Sequence, residues 1–408
     1  MSSTTWPLMP LQAPLSHDMP TPRILNGYTP STLLFGAPTH TLLAAPDADR
    51  PVLTGSLRSL AGQVRTTLTE PSQVAAGAIS FDGRRSRLIV SSTPRWRAPL
   101  LVPRCFRCRH PAWTVRDDPP PEDYHKSVQQ ARDMITTGAL DKLVLARTLL
   151  LAADHPLDVA ELLAHLPGAG PHVFAAPLGD QPAHPGGELP HQATSQGAGD
   201  QGTLIGASPE LLVSRHGRMV TTNPLAGSAP RALDPATDQA SAHALQNSRK
   251  DRHEHRLVVE AVADALAPLC SQLHVPDRPQ VMATTTMWHL STPITGLVRD
   301  PAISSLTLAA ELHPTPAVCG TPTRLASSLI PELEPVERGY YAGLVGWQDA
   351  AGDGEWALAL RSGLVVGDTL RLFAGAGIVA DSDPDAELAE TSAKFGTLLR
   401  ALRIPIDL

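Results

Sequence analysis

The sequence predicts a mixed α/β fold of the α+β kind, a large sandwich of hairpin strands with a few long helices. Three observations carry this expectation. Long apolar runs of strand character recur, above all "DKLVLARTLLLAA". The stretch "GLVGWQDAAGDGEWALALRSGLVVGDTLRLFAGAGIV" reads as three strands joined by Gly-Asp turns. "NSRKDRHEHRLVVEAVADALAPL" reads as a long helix, with Leu257, Val258, Ala261, Val262, Ala265, Leu266 and Leu269 forming an apolar stripe at helical spacing.

Taken in order, the first hundred or so residues are proline-rich and carry short strand signals such as "RSRLIVSST". "DDPPPEDYHKSVQQARDMITTG" predicts a turn and then an amphipathic helix closed by Gly138. The apolar "KLVLAR" strand follows. Residues 179–203 have few apolar anchors and much Gly, Pro and Gln, which predicts a flexible surface insertion without a chemical role. "GTLIGASPELLVSRHGRMVTTNP" predicts strand, turn and hairpin, with His216-Gly217 near the turn. The chain closes on "DSDPDAELAETSAKFGTLLRAL", a helix that Ser382 or Asp383 can cap and Pro384 can start.

Composition narrows the function. A chain of 408 residues that is 42% hydrophobic can bury a sizeable core. The net charge of −7 argues against a general nucleic-acid binder. No apolar run is long enough to span a bilayer, and "MSSTTWPLMPLQAPLSHDMP" lacks the basic start and apolar centre of a signal peptide, so a cytoplasmic protein is expected. Four cysteines make no disulfide framework. Cys105 and Cys108 form a lone C-x-x-C without a second pair, a weak metal signal, and Cys270 and Cys319 are expected to be buried thiols.

Several polar residues stand where a strand or helix should be plain. Lys142 opens an apolar strand; such a lysine either snorkels to water or sits in a dry pocket, where loss of its proton is easier and it can act as a base. Glu210 in "GASPELL" is a turn residue or a candidate acid, and the motif lacks the glycine that a serine nucleophile elbow needs. Asp251 and Glu254 are three apart and share a helix face; Glu387 and Glu390 repeat the spacing. Each pair is either a solvated face or half of a hard-oxygen site suited to Mg²⁺. His253 and His255 point to different helix faces, which disfavours zinc. Glu390 and Lys394 are spaced for a surface ion pair. "AGAGIV" does not match G-x-G-x-x-G; Gly375 and Gly377 instead let the backbone approach a ligand.

The ordered segments "KLVLAR", "GASPELL", "NPLAGSAPR", "KDRHEHRLVV", "WHLSTPITG", "LHPTPAVCGTP", "ERGYYAGLVGW", "LALRSG", "AGAGIV" and "DPDAELAETSAK" resemble the chorismate-utilising enzymes, anthranilate synthase component I-like, over roughly residues 120–402. The resemblance is greatest to the isochorismate synthase branch. It implies one α-β-β-α layered domain with two similar halves, residues 1–115 being its weakly matching N-terminal part and 116–408 its catalytic region. It implies chorismate as substrate and Mg²⁺ as cofactor. Lys142 corresponds to the base that activates water at ring C2, and Glu210 to the acid that protonates the C4 hydroxyl. Glu254 and Glu390 match direct Mg²⁺ ligands, with Asp251 and Glu387 behind them through water. Tyr341, Arg361, Gly375 and Lys394 match positions that bind the enolpyruvyl carboxylate, while Gly227, Ser228 and His289 match the ring face. Relatives of the family make salicylate, anthranilate or aminodeoxychorismate. "LHPTPAVCG", with Ala317 where some of those carry a polar residue, favours isochorismate formation over salicylate synthesis, and a catalytically silent chorismate binder would have no need of the intact acids and lysine. A monomer without an amidotransferase subunit is expected.

Overall fold

The computed structural model describes residues 25–100, 111–166, 170–180 and 201–404. Cys105 and Cys108 lie outside the described residues, as does most of the predicted insertion. The edges of that insertion are strand, contrary to expectation. Gly179 pairs with Gly202 and Asp180 with Gln201, because two long neighbouring strands, His172–Asp180 and Gln201–Ser208, keep their ladder until it runs out of partners.

Two large antiparallel sheets stack face to face, with ten and eight strands among the described residues, and a small three-stranded sheet flanks them. The larger sheet places the glycine-rich strand Thr369–Ile378 between Lys142–Ala153 and Ser362–Val366. N-terminal strands are woven into both sheets: Leu33–Gly36 pairs with His172–Asp180, and Val74–Ile79 with Leu344–Asp349.

The layering follows from side-chain size and alternation. In "VAAGAI", Val74, Ala76 and Ala78 face the other sheet, where they meet Phe35 and Phe174, with Trp347 of the neighbouring strand in the same cluster; Ala75 and Ile79 face the helices. Small residues on the inner face let two sheets approach closely. On the outside of the larger sheet, Phe395, Leu398 and Leu399 of the last helix cover Leu149, Leu151 and Leu372. On the other side, Val258, Val262 and Leu266 of the helix Arg249–Leu266 are almost fully buried, each contributing roughly 1.5–3 kcal/mol. Leu257, Ala261, Ala265 and Leu269 of the predicted stripe are half-buried at its margin. Cys270 and Cys319 are buried thiols, as expected.

The three strands expected at 343–379 are four: Leu344–Asp349, Gly354–Leu358, Ser362–Val366 and Thr369–Ile378. The apolar run through "WALALRSGLVV" hides a break. Arg361 takes a left-handed φ of 47°, and there the chain leaves the smaller sheet for the larger one. The helix Pro121–Thr136 ends at Gly138, whose φ of 81° suits glycine alone. Among the described residues, no helix is long and apolar enough to cross a membrane.

Candidate active site

A cavity of about 80 Å³ lies over two neighbouring strands of the larger sheet, Lys142–Ala153 and Thr369–Ile378. Its floor is Val144 on one strand and Phe373, Gly375 and Gly377 on the other, with Gly377 opposite Val144 and Gly375 opposite Ala146. Alternation puts these positions on one face. The glycines create the space. A Cβ on Gly377 would lie 2.5 Å from Glu254 Oε1 and 2.9 Å from Lys142 Cε. Gly377→Ala is therefore expected to cut kcat at least tenfold through displacement of both side chains, with the sheet retained by circular dichroism; wild-type turnover would show that the pair can move without cost.

Helix phase aims the acids. In the helix Arg249–Leu266, Glu254 and His255 continue the buried face of Val258 and Val262, so Glu254 points at the cavity. Asp251, one turn earlier, lies half-buried against Gly227, whose φ is 76° and on which a Cβ would lie 2.9 Å from the Asp251 Cβ. His255 turns away to bond Thr292 Oγ1 at 2.7 Å while His253 is exposed, so the two histidines do point apart. The last helix starts at Pro384 with Asp383 as its cap, accepting from Ala386 N at 3.0 Å. Capping and cavity lining coexist there, since Glu390 and Lys394 sit two turns further on.

Each of three acids meets a lysine. Lys142 Nζ is 2.8 Å from Glu254 Oε1, an ion-pair contact whose angles do not align a hydrogen bond. Lys394 Nζ is 2.6 Å from Glu390 Oε1 and donates to Gly375 O at 2.8 Å. Lys250 donates to Glu387 at 3.0 Å. Lys142 is fully buried and stands behind Gly377 and Glu254 rather than in the cavity wall, so the snorkelling alternative fails. Burial and then the neighbouring Glu390 push the Glu387 carboxyl up, against Lys250. Burial also raises Glu390, but Lys394 and Ser228, which donates at 2.9 Å, more than offset it and hold it low. Asp251 is raised by burial and, further, by Glu254 and Glu390.

This donor set fits a hard divalent cation. Four carboxylates face three lysines, Asp251 forms no ion pair with a lysine among the described residues, and neighbouring acids raise the proton affinity of Asp251 and Glu387. The carboxylates are turned to their lysines, and no three candidate ligands converge on one point among the described residues. Glu254 and Glu390 are the two that reach the cavity; Asp251 and Glu387 do not line it.

The remaining wall is built for charge. Glu210 is buried, and desolvation lifts its carboxyl to about 8 despite the Leu225 N–H it accepts at 3.2 Å and the lysines nearby. It therefore carries a proton at neutral pH. His289 is held neutral by burial and by Arg361 and Lys394. Arg361 is buried, and desolvation lowers it to about 10, so it keeps its charge at neutral pH. It contacts Thr397 Oγ1 at 3.1 Å and His289 Nε2 at 3.4 Å, and no carboxylate pairs with it among the described residues.

Thus Glu210, Gly227, Ser228, Glu254, His289, Ala317, Tyr341, Arg361, Gly375, Glu390 and Lys394 all line one cavity. Sequence reasoning missed Lys250 and Arg338. Arg338 is a strut: its guanidinium donates to Glu334, to Val318 O at 2.6 Å and to Val144 O at 2.8 Å, while Glu334 accepts from Ala146 N at 2.7 Å. Its four-residue spacing from Glu334 was a visible signal. The partnership of Lys250 with Glu387 bridges two distant helices and left no local signal.

Fold and cavity together define an enzyme that acts on a small molecule. The chain belongs to the chorismate-binding enzyme family, whose model matches residues 194–403. It is 43% identical over 398 residues to isochorismate synthase DhbC of Bacillus subtilis, covering 93% of this chain and 96% of that protein. It is 39% identical over 334 residues to isochorismate synthase EntC of Escherichia coli, covering 80% of each. The crystal structure of DhbC from Bacillus anthracis superposes with a TM-score of 0.83 at 40% identity, over 94% of this chain and 99% of that one.

Proposed function

We propose that this chain is an isochorismate synthase, an Mg²⁺-dependent isomerase that moves the ring hydroxyl of chorismate from C4 to C2. The observation that carries the reading is Glu210: a carboxyl that keeps its proton to about pH 8 on the wall of a cavity that also presents an arginine with no carboxylate paired to it among the described residues. An acid protonated at working pH is what departure of a hydroxide requires. The relatives' shared activity supports the same choice.

In this reading Arg361 and Lys394 bind the enolpyruvyl carboxylate, Arg361 through its planar fork, with Tyr341 and Gly375 beside it. Gly227, Ser228 and His289 bound the ring face. Lys142 leaves its ion pair with Glu254 and reaches past Gly377 into the cavity as the free amine. It takes a proton from water as the water oxygen bonds to C2, the ring double bonds shift, and the C4 hydroxyl leaves as water with the proton from Glu210. One water is added and one lost, so no redox partner is needed. Glu254 and Glu390 would hold Mg²⁺, supported by Asp251 and Glu387. When bound, it supplies the positive charge that fixes the ring carboxylate.

Purified protein incubated with chorismate and Mg²⁺ is expected to form isochorismate alone. Release of salicylate and pyruvate would replace this reading with a salicylate synthase, and binding without turnover would replace it with a silent binder. Glu390→Gln is expected to raise the Mg²⁺ concentration for half-maximal activity at least tenfold; an unshifted titration would leave Glu390 only its ion pair with Lys394.

A further inference from the structure

A second hollow adjoins the catalytic cavity. It has a volume of about 450 Å³, and its wall includes Ala207, Pro209, Arg231, Ala283, Arg361 and Thr397. Small-molecule sites are typically about 300–1,000 Å³. The hollow falls in that range; the catalytic cavity, at about 80 Å³, does not. The two share Pro209 and Arg361 as a common wall.

The residues of that wall differ in what holds them. Arg231 is tied to Asp238 at 2.7 Å and stacks on Trp288, 4.3 Å from the ring centroid. Its charge is answered and its place is set. Among the described residues the side-chain hydrogen bonds of Arg361 go to neutral groups, Thr397 and His289, and Thr397 Oγ1 is itself 2.8 Å from Thr286 Oγ1. A side chain held by neutral contacts moves at less cost than one in a buried ion pair. Swinging it aside would join the hollow to the catalytic cavity.

We propose that the 450 Å³ hollow is the antechamber through which a ring-bearing dicarboxylate reaches the catalytic cavity, with Arg361 as the movable door. This rests on the functional reading above. The positive charge of Arg361 faces both spaces, so it meets the dianion in the hollow and stays with its carboxylate inside. Ala207, Pro209 and Ala283 make part of the wall apolar, and the other arginine there, Arg231, is already paired with Asp238.

An obstruction on a path slows passage in both directions and leaves the equilibrium unchanged. Ala283 is exposed and lies outside the catalytic cavity, so larger side chains are tolerated there. Ala283→Leu and Ala283→Trp would be made in a Glu210→Gln background, which is expected to bind chorismate and turn it over about 10²–10⁴-fold more slowly than the wild type. Stopped-flow fluorescence with chorismate and Mg²⁺ gives the association rate, and calorimetry gives Kd. The expected result is a graded fall in association rate, roughly threefold for Leu and tenfold or more for Trp, with Kd within twofold of the background. If the Trp variant fails to fold, the Leu variant carries the test. An unchanged association rate overturns the antechamber, and a loss of affinity that accounts for the slower binding does so too, since the hollow would then be part of the bound site. Absence of chorismate binding in the wild type overturns the functional reading and this proposal with it.

Discussion

Glu210→Gln is expected to lower kcat by about 10²–10⁴-fold, with KM nearly unchanged. The amide keeps an acceptor for the Leu225 N–H and matches the neutral, protonated carboxyl in shape and charge. What it lacks is a proton to give. Wild-type kcat should fall as pH rises past about 8, where Glu210 ionises. The same substitution should raise stability in a pH-dependent way. The folded-state carboxyl titrates near 8, above its ordinary value of 4.5. Below 4.5 both folded and unfolded chains hold the proton and nothing is lost. Between 4.5 and 8 only the unfolded chain ionises, so wild-type stability falls by up to about 1.4 kcal/mol per pH unit from this group. Glutamine does not titrate. The Tm difference, variant minus wild type, should therefore grow from pH 4.5 to 8 and then level off. A flat difference across that window would mean that Glu210 is not a buried proton carrier.

Lys142→Ala should have the other large effect, a loss of at least about 10³-fold in kcat. It should also destabilise the fold. The lysine is fully buried against Glu254, whose side chain is only 12% exposed. Removing one partner of a buried ion pair leaves the other uncompensated, at a cost of about 3–5 kcal/mol. The double variant Lys142→Met, Glu254→Gln separates the two roles. It removes both charges at near-constant volume and should regain most of the stability in urea titrations while remaining inactive. If the double variant recovers turnover, Lys142 is a structural residue and another group is the base.

Much of the site was legible because its residues sit in short ordered segments whose local form is strongly encoded. "AGAGIV" reads as a strand against a ligand, and Gly375 and Gly377 are indeed the floor. Asp251 and Glu254 share a helix face by spacing alone. Which of the two reaches the cavity was not legible, because spacing sets relative phase and not absolute rotation. That rotation comes from Val258, Val262 and Leu266 locking into the core. The fourth strand of the 343–379 region was hidden for a related reason. A strand that changes sheets keeps its apolar alternation, and only the left-handed Arg361 marks the crossing.

By itself the sequence determined which segments are strands and helices, the caps that start and stop them, and the chemical types brought to the cavity, since each follows from neighbours a few residues apart. Only the tertiary structure decided that Lys142 is dry, that Lys250 meets Glu387, and that Arg361 stands between two hollows. A lysine at a strand end is wet or dry according to what covers it, and here the cover is the short strand Gly320–Thr321 on one side and Gly377 on the other. Such contacts join residues more than a hundred positions apart. Burial, and with it the proton affinity of Glu210, is a property of the packed whole and of no single stretch of chain.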